Sequence, residues 1–577
     1  MKRRDGGAPA MRKDGALIVQ SDYTVLLDTS HPQAEAAGER LAVFAELIKR
    51  PGDMHTYRIS PLSVWNAASS GISSEVIIET LHGYGKYEVP SKVEEEIRQW
   101  SDRYGKLRLE LRDGIIVLTG EDEAELAELT GKKFVREGLM AHIGPNAWEI
   151  RPAERGRLKQ ELLRAGYPVL DLAGYHAGES LSVKLLHRST SGSDFFLREY
   201  QRRAVDLFYR EGSRHGGSGV LVLPCGAGKT VIGLSALSRL NCATLILTSN
   251  VTSVKQWKRE LLDKTSLVES QVGEYAGPLR QVRPVTIATY QIMTHRSSKE
   301  KEYIHMRLFK ERDWGLIIYD EVHLLPAPVF RMTAEIQATR RLGLTATLVR
   351  EDGCEEDVFS LIGPKRFDLA WKELERQGWI AAVNCSEIRI PLLQAQVEKY
   401  YKAEIRSKLR IASENPAKLS VVKSLMQRHS DDQILIIGQY LSQLRQLAAM
   451  LQLPIITGAT PHDEREALFA EFKSGKIQSL IVSKVANFAV DLPDAAVAIQ
   501  VSGSFGSRQE EAQRIGRLLR PKRNGNEAWF YSIVTDDTKE TEFAMKRQLF
   551  MLEQGYRYEL VRWSEERAEI KDGGLAK

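Results

Sequence analysis

Cysteine is scarce in this chain of 577 residues. The four that occur stand far apart in the sequence, at Cys225, Cys242, Cys354 and Cys385. No two of them form a Cys-x-x-Cys pair, so the spacing argues against a zinc ribbon, an iron–sulfur cluster and a disulfide framework. Low cysteine content of this kind fits a reducing cytoplasm, and we expect a cytoplasmic protein.

Long apolar runs and a strong excess of charge are also missing. No run approaches the 18 residues that a membrane-spanning helix needs, so we expect no membrane segment. The first residues, MKRRDGGAPAMRK, are basic but lack a following apolar core, which predicts a disordered end instead of a signal peptide. The net charge of +5 is too slight to indicate nucleic acid by itself.

The amino-terminal third contains two small regions. Ser60-Pro61, Ser73 and Pro90-Ser91 each have the residue types that begin helices. An alternating run, an Asp113-Gly114 turn and a second apolar run then predict a hairpin. Three helices and a hairpin indicate a winged-helix-like domain over residues 1–120, and a packing domain without DNA contact is about equally expected. Residues 121–190 are predicted to form a small domain, whose element order the sequence leaves open, and a linker.

Two series of short apolar runs alternate with helical segments in the rest of the chain. Continuous apolar strands between helices are typical of parallel sheets covered on both faces. We therefore predict an α/β fold with two successive parallel-sheet domains, over residues 191–378 and 379–577. The predicted strands are 220–224, 244–249, 285–289, 316–320 and 342–346 in the first domain, and 434–438, 479–483, 497–501 and 529–534 in the second.

The segment LVLPCGAGKT at 221–230 has the pattern of a phosphate-binding loop between a strand and a helix. Backbone N–H groups of a glycine-rich turn and the following helix N-terminus face an anion. Lys229 is expected to reach the β- and γ-phosphates of ATP, and Thr230 to bind Mg²⁺. Leu223 replaces the first glycine of the strict motif. The loop positions expected to cradle the phosphates are Cys225, Gly226, Ala227 and Gly228.

A pair of carboxylates ends the apolar run in WGLIIYDEVHLLP at 314–326. A phosphate loop needs a carboxylate on a neighbouring strand to organise Mg²⁺, and Asp320 fits that role. Glu321 can orient and deprotonate the attacking water, which makes it the predicted general base. His323 could link this site to the next motif, although alone it reads as a solvated loop residue.

Three further segments supply candidate nucleotide contacts. Gln201 in LREYQRRAV has an amide that can read the adenine edge, and the hydroxyls of TAT at 345–347 can bridge the carboxylates to a moving domain. In EEAQRIGRLLRPK, Gln513, Arg517 and Arg520 share one helical face. A face that aims the two arginines at a γ-phosphate would make hydrolysis depend on domain closure. The alternative is a solvated basic helix.

These motifs together resemble superfamily-2 helicases, and most specifically the XPB family of DNA repair helicases. The resemblance rests on the DEVH box, GLTATLVREDG at 343–353, LIGPKRFDLAW at 361–371, QRIGRLLR at 513–520 and YRISPLSVWNAASSGISSEVI at 57–77. It covers nearly the whole chain and is weakest over 121–186, the region in which the resemblance implies a damage-recognition-like domain. Ala489 stands where many relatives have glycine.

The resemblance implies two RecA-like motor domains preceded by small α+β domains. It also implies ATP and Mg²⁺ as cofactors, duplex DNA as substrate, 3′→5′ polarity, a nuclease partner and a role in DNA repair; we expect a monomer. The triplet Arg350-Glu351-Asp352 resembles the family's RED motif, and it is predicted to separate strands. Residues 399–415 lie where the family has a thumb-like insertion, whose phosphate contacts would come from Lys402, Arg406, Lys408 and Arg410.

Two other functions remain open. The motor of a restriction or remodelling complex would hydrolyse ATP on duplex DNA without separating its strands. A binding module with an inactive nucleotide site would hydrolyse nothing, although every expected catalytic position is filled.

Overall fold

The computed structural model describes residues 14–49, 53–224, 226–296, 303–337, 339–346, 355–369, 371–483, 495–503, 526–553, 556 and 558–563. The chain divides into two compact units. The first comprises Met1–Val222 and Thr230–Asp368, and the second comprises Leu223–Lys229 and Leu369–Lys577. Among the helices in these ranges, none has the length and apolar character to cross a bilayer.

The first unit begins with a four-stranded antiparallel sheet that the sequence patterns did not predict. Its strands are only three to five residues long, so alternation of apolar and polar residues is hard to detect. The strand order is β1-β2-β4-β3. The elements are β1 (Leu17–Val19), β2 (Thr24–Asp28), α1 (Ala34–Leu41), β3 (Glu46–Lys49) and β4 (Met54–Arg58).

Three helices predicted from their first residues follow this sheet. Ser60 and Ser63 cap the first helix reciprocally, because each hydroxyl accepts the other residue's backbone N–H, at 3.1 and 3.0 Å. The Ser73 hydroxyl accepts the Val76 N–H at the start of the second. The sequence prediction of the helices is therefore confirmed, as α2 (Pro61–Ser69), α3 (Ser74–Tyr84) and α4 (Ser91–Arg103).

The hairpin predicted to complete this helical region belongs instead to a second sheet, so its assignment to a winged-helix-like module is wrong. The physical reason lies in the core, where Leu107 and Leu109 pack with Leu126 and Leu158 of the following residues. The second small sheet has the order β7-β8-β6-β5-β9. Its elements are β5 (Leu107–Arg112), β6 (Ile115–Gly120), α5 (Glu123–Gly131), α6 (Lys133–Arg136), β7 (Leu139–Gly144), β8 (Ala147–Ile150), α7 (Arg155–Arg164) and β9 (Val169–Leu172).

A seven-stranded parallel sheet forms the larger part of the first unit, with the order β12-β13-β11-β14-β15-β10-β16. All five strands predicted for this domain are present, and β12 and β16 add one strand at each edge. The elements are α8 (Glu199–Tyr209), β10 (Ser218–Val222), α9 (Lys229–Leu240), β11 (Thr244–Thr248), α10 (Val251–Lys264), β12 (Val272–Tyr275), β13 (Val285–Thr289), α11 (Tyr290–Met293), β14 (Leu316–Asp320), α12 (Ala327–Glu335), β15 (Arg340–Thr345), α13 (Glu355–Leu361) and β16 (Lys365–Asp368).

The second unit contains another seven-stranded parallel sheet, with the order β19-β20-β18-β21-β22-β17-β23. Its four predicted strands are present, and the pairing of β17 with β22 and with the edge strand β23 was not predicted. The elements are α14 (Trp371–Arg376), β17 (Ala382–Ile390), α15 (Gln394–Lys402), α16 (Ile405–Ser413), α17 (Lys418–Arg428), β18 (Ile434–Gly438), α18 (Leu441–Leu451), β19 (Ile455–Ile456), α19 (His462–Lys473), β20 (Ser479–Ser483), β21 (Val497–Gln500), β22 (Glu527–Thr535), α20 (Lys539–Glu553) and β23 (Tyr558–Arg562).

The predicted fold class is confirmed: two tandem RecA-like parallel-sheet domains follow small α+β domains. Because the strands of the first large sheet are parallel, β10, β14 and β15 all end at the same edge. This edge carries the residues that the sequence assigns to nucleotide chemistry.

Candidate functional site

The phosphate-binding loop connects β10 to α9. Gly226 and Gly228 both have positive φ angles, 81° and 78°, a conformation that glycine adopts at little cost. The Ala227 N–H donates to the Pro224 carbonyl at 3.2 Å, which closes the turn. Helix α9 begins directly after it, at Lys229. A glycine turn that leads into a helix N-terminus can accommodate a phosphate group, and phosphate binding by this loop stays a prediction. Cys225 lies outside the described residues.

Asp320 is held at the end of β14 by two aromatic residues that sequence reasoning missed. The indole N–H of Trp257 donates to Asp320 Oδ2 at 2.9 Å. The Tyr290 hydroxyl donates to the Asp320 backbone carbonyl at the same distance. Both aromatic side chains are buried. A fixed carboxylate at this edge suits the predicted role of Asp320 as a Mg²⁺ ligand.

Helix α9 packs against Trp257 through Gly233. A Cβ added to this glycine would lie 2.4 Å from the Trp257 ring, so a larger residue cannot fit without a shift. The helix that begins at Lys229 is therefore in direct contact with the tryptophan that orients Asp320. The sequence signal for this arrangement was available in VKQWKRE, where Trp257 stands among charged residues of an amphipathic helix.

Glu321 lies in a backbone conformation that non-glycine residues seldom adopt. Its φ is 53° and its ψ is 55°, in the left-handed region. Such geometry costs on the order of 1–3 kcal/mol and occurs often at functional sites. The Glu321 carboxylate lies 3.5 Å from His323 Nδ1 and is partly exposed. A carboxylate fixed at a strand end and open to water is suited to accept a proton from that water.

His323 is buried, which contradicts the reading of it as a solvated loop residue. Its ring nitrogen Nδ1 lies 2.7 Å from the Thr345 hydroxyl at the end of β15, and Thr345 is fully buried. The predicted link between the DEVH box and TAT is therefore present at Thr345. Burial follows because the 3-10 turn at Val322–Leu324 folds back beneath the end of β15.

Gln201 is buried at the start of α8, where its side-chain oxygen accepts the Arg198 N–H at 3.0 Å. The amide thus caps its own helix. A carbonyl oxygen has a second lone pair, and the adenine contact stays a prediction.

Several predicted residues cannot be placed. The triplet Arg350-Glu351-Asp352 and the three residues Gln513, Arg517 and Arg520 lie outside the described residues. Ala489 lies outside them as well. In the part of the chain that the structure describes, no group of three or more His, Cys, Asp or Glu side chains is arranged to hold a metal ion. A Mg²⁺ ion that arrives with ATP needs fewer protein ligands, because phosphate oxygens and water supply the others.

The basic residues of the thumb-like segment lie on α15 and α16. Lys402 pairs with Glu398 one turn away, and Arg410 pairs with Glu414 at 3.0 Å. Lys408 lies 5.7 Å from the centre of the Tyr400 ring. These exposed pairs contribute little to stability and can exchange for phosphates, so DNA contact here stays a prediction.

Three family models match this chain. The ERCC3/RAD25/XPB C-terminal helicase model matches residues 374–576. The model of the type III restriction enzyme res subunit matches residues 194–350, and a helicase conserved C-terminal domain model matches residues 17–143.

Characterised relatives match nearly the whole length. The chain is 51% identical over 546 residues to DNA 3'-5' helicase XPB of Mycobacterium tuberculosis, covering 94% of this chain and 97% of the relative. It is 50% identical to DNA 3'-5' helicase XPB of Kineococcus radiotolerans, covering 97% of this chain and 98% of the relative. It is 32% identical to the general transcription and DNA repair factor IIH helicase/translocase subunit XPB of Enterocytozoon bieneusi, with 95% and 93% covered.

Proposed function

Because the chain belongs to the XPB family of superfamily-2 DNA helicases, we propose that it uses ATP to move along duplex DNA and separate its strands in DNA repair. The enzyme is a DNA-dependent ATPase and a 3′→5′ helicase. The observation that carries the proposal is the array at the edge of the first large sheet, where Trp257 fixes Asp320 and His323 joins Glu321 to Thr345.

The residues of this array divide the work of ATP hydrolysis. Lys229 and the loop N–H groups bind the phosphates, while Thr230 and Asp320 hold Mg²⁺, directly or through water. When bound there, Mg²⁺ would supply positive charge that offsets the charge developing on the phosphates. Glu321, whose carboxylate is partly exposed, accepts the proton of the attacking water.

His323 positions Glu321 and senses the state of β15. Its Nδ1 atom faces both the Glu321 carboxylate, at 3.5 Å, and the Thr345 hydroxyl, at 2.7 Å. A shift of the segment that follows Thr345 would therefore move His323 and change the position of the Glu321 carboxylate. That segment leads to the triplet Arg350-Glu351-Asp352, for which we propose contact with DNA at the point where strands separate.

The second parallel-sheet domain supplies the remaining catalytic groups in this proposal. Arg517 and Arg520 act on the γ-phosphate, and Gln513 contributes to the same nucleotide site. ATP hydrolysis then requires both domains. Contacts to DNA phosphates do not depend on the base sequence, and they convert each cycle of ATP binding and hydrolysis into movement along one strand. The partner is DNA, and we further propose that the enzyme acts in the cytoplasm as a monomer beside a nuclease.

The decisive experiment measures DNA-stimulated ATPase activity and strand separation on one preparation. Tailed duplexes with a 3′ or a 5′ single-stranded extension serve as substrates. We expect hydrolysis to rise with DNA and unwinding only from the 3′ tail. Hydrolysis without unwinding on either substrate would indicate a duplex translocase of the restriction or remodelling type. No hydrolysis at all would indicate a binding module and overturn the proposal.

A further inference from the structure

A continuous set of buried hydrogen bonds runs from the second small sheet to the strand that ends in Asp320. It begins at Asp171 on β9, which accepts a bidentate ion pair from Arg155, with the shortest contact at 2.7 Å. Lys159 Nζ donates to the other oxygen of the same carboxylate at 3.0 Å. Arg155, Lys159 and Asp171 are all largely buried.

Lys159 also reaches out of its own domain. Its Nζ lies 2.5 Å from Oε1 of Gln337, which stands between α12 and β15 and is 1% exposed. Gln337 Nε2 in turn donates to the Thr333 carbonyl of α12 at 2.7 Å and to the Leu361 carbonyl at the end of α13. A single glutamine thus joins α7 to both helices.

The connection continues into β14. The Thr333 hydroxyl donates to the Val329 carbonyl and lies 2.9 Å from the Tyr319 hydroxyl. Tyr319 is fully buried and immediately precedes Asp320 and Glu321. This path from the small sheet to β14 is the α7 relay. Its residues are Asp171, Lys159, Gln337, Thr333 and Tyr319.

Backbone packing leaves little freedom around the relay. A Cβ on Gly156 of α7 would lie 2.3 Å from the Ala334 carbonyl of α12, so the two helices touch through backbone atoms. Gln160 of α7 donates to Asp357 of α13 at 2.8 Å. Helix α12 follows the DEVH box after three residues, and α13 begins three residues after Asp352. The two helices held by α7 thus flank the motifs that serve hydrolysis and strand separation.

We propose that Lys159 is a positioning residue for ATP hydrolysis. It acts through Gln337 and Tyr319, so that contacts made by the second small domain set the rate of hydrolysis at Glu321. This inference rests on the proposed function, because it concerns the rate at which Glu321 acts. Coupling of this kind is carried by packed elements and hydrogen bonds with discrete arrangements.

Single substitutions can break the relay without leaving a buried charge unpaired. In Lys159→Met the Asp171 carboxylate keeps its hydrogen bonds from Arg155, and the methionine fills most of the space of the lysine stem. Tyr319→Phe removes only one hydroxyl, and Thr333 keeps its bond to Val329. Arg157→Met is the matched control, since it removes a cation from the same helix whose partners, Glu154 and Glu137, lie within the small domain.

The test is a double-mutant cycle on kcat for DNA-stimulated ATP hydrolysis in the full chain. Each of Lys159→Met and Tyr319→Phe should lower kcat by about three- to tenfold with KM for ATP within twofold of wild type. The double variant should be no slower than the slower single variant, because both changes cut one path. Arg157→Met should match wild type.

The pH profile separates positioning from mere packing. Burial lowers the pKa of Lys159 to about 8, against the opposing effect of Asp171, while Arg341 and Arg155 lower it further. The ammonium is present below that pKa and is lost above it. The wild-type kcat should therefore fall as the pH rises through about 8, relative to Lys159→Met.

Three results would each overturn the relay. The effects on kcat could multiply in the double variant, kcat could be unchanged in both single variants, or Arg157→Met could lose as much kcat as they do. A pH dependence shared in full by Lys159→Met would do the same. The failure of the proposed function gives a different result, since the wild-type protein itself would then not hydrolyse ATP.

Discussion

Asp320 and Glu321 are adjacent in sequence but are held by different neighbours. Trp257 binds the side chain of Asp320, and His323 lies against the carboxylate of Glu321. One residue is thus contacted by a side chain of α10 and the other by a side chain of the turn that follows β14. The predicted metal ligand and the predicted base are thus each contacted by a different side chain.

Removal of the base gives the first prediction. Glu321→Gln keeps the size and polarity of the side chain but cannot accept a proton, so ATP turnover should fall by about 100-fold or more. ATP binding, measured by titration with a fluorescent analogue, should persist. Lys229→Ala should instead weaken binding itself.

Glu335→Gln is a suitable control, because this exposed residue of α12 pairs with Lys310 at the surface. Near-normal turnover in Glu321→Gln would remove Glu321 from the role of base.

The second prediction concerns the indole that sequence reasoning missed. Trp257→Phe removes the hydrogen bond to Asp320 and keeps an aromatic ring against Gly233. Loss of a partner that orients a metal ligand typically costs about 10–100-fold in metal affinity or activity. The concentration of Mg²⁺ that supports half-maximal ATPase activity should therefore rise by about that factor, with kcat at saturating Mg²⁺ less affected.

A Mg²⁺ titration of both proteins at fixed ATP checks this expectation. Trp314→Phe offers a comparison with another buried tryptophan, whose indole donates to the Leu308 carbonyl away from the site. If the two variants show the same Mg²⁺ dependence, the indole of Trp257 does not position a metal ligand.

At the scale of elements, the strands of both large sheets were predictable because buried parallel strands form unbroken apolar runs. ILIIG at 434–438 and SLIVS at 479–483 match the observed strands residue for residue. Edge strands such as β16, with the sequence KRFD, have no such run and were missed. Periodicity describes one element at a time, and it does not show which sheet an element joins.

The hairpin of β5 and β6 shows the same limit. Its alternation and its Asp113-Gly114 turn were sufficient to predict it, and the turn residues have positive φ as expected. Its partners β8 and β9 come later in the chain. Only tertiary packing decides between two neighbouring domains in such a case. The hydrogen bond from Trp257 to Asp320 was equally out of reach, because 63 residues separate the two in sequence.

The glycine turn of the phosphate loop gives the third prediction. Gly226 has open space where a Cβ would lie, so the cost of Gly226→Ala comes only from its positive φ. That cost is about 1–2 kcal/mol for an L residue. The loop should relax away from its phosphate-binding shape, and ATP affinity should fall by about tenfold.

Gly83→Ala provides the matched control, since Gly83 also has open space but lies within α3. Alanine is favoured over glycine in helices by about 1 kcal/mol, so this variant should be at least as stable as wild type. Calorimetric ATP titrations of both variants make the comparison. Unchanged ATP affinity in Gly226→Ala would mean that the turn does not shape the site.

For the whole molecule, the central question is how hydrolysis becomes strand separation. The triplet Arg350-Glu351-Asp352 follows the TAT segment and precedes α13, one of the helices held by α7. The metal ligand, the base and the phosphate-binding lysine are all assigned elsewhere. The triplet is also poorly suited to bind phosphates, because its two carboxylates would repel them. A role in separating or holding the strands is therefore favoured.

The fourth prediction separates these activities. Arg350→Ala, or Glu351→Ala combined with Asp352→Ala, should leave DNA-stimulated ATPase activity within about threefold of wild type, because the catalytic groups are intact. Strand separation of a 3′-tailed duplex should be lost. Both activities are measured on one preparation, and the idea fails if unwinding survives or if the two activities fall together.

The pairing of β17 with β23 has a consequence for synthesis. β17 is the first strand of the second large sheet, and its two neighbours, β22 and β23, are the last two strands in the part of the chain that the structure describes. A nascent chain that leaves the ribosome must therefore hold Ala382–Ile390 unpaired while more than 130 further residues are made. During that interval the strand exposes backbone donors and acceptors to any neighbouring chain, a known route to aggregation. Expression that slows translation, or a chaperone that covers this one strand, should decide how much folded enzyme a cell obtains.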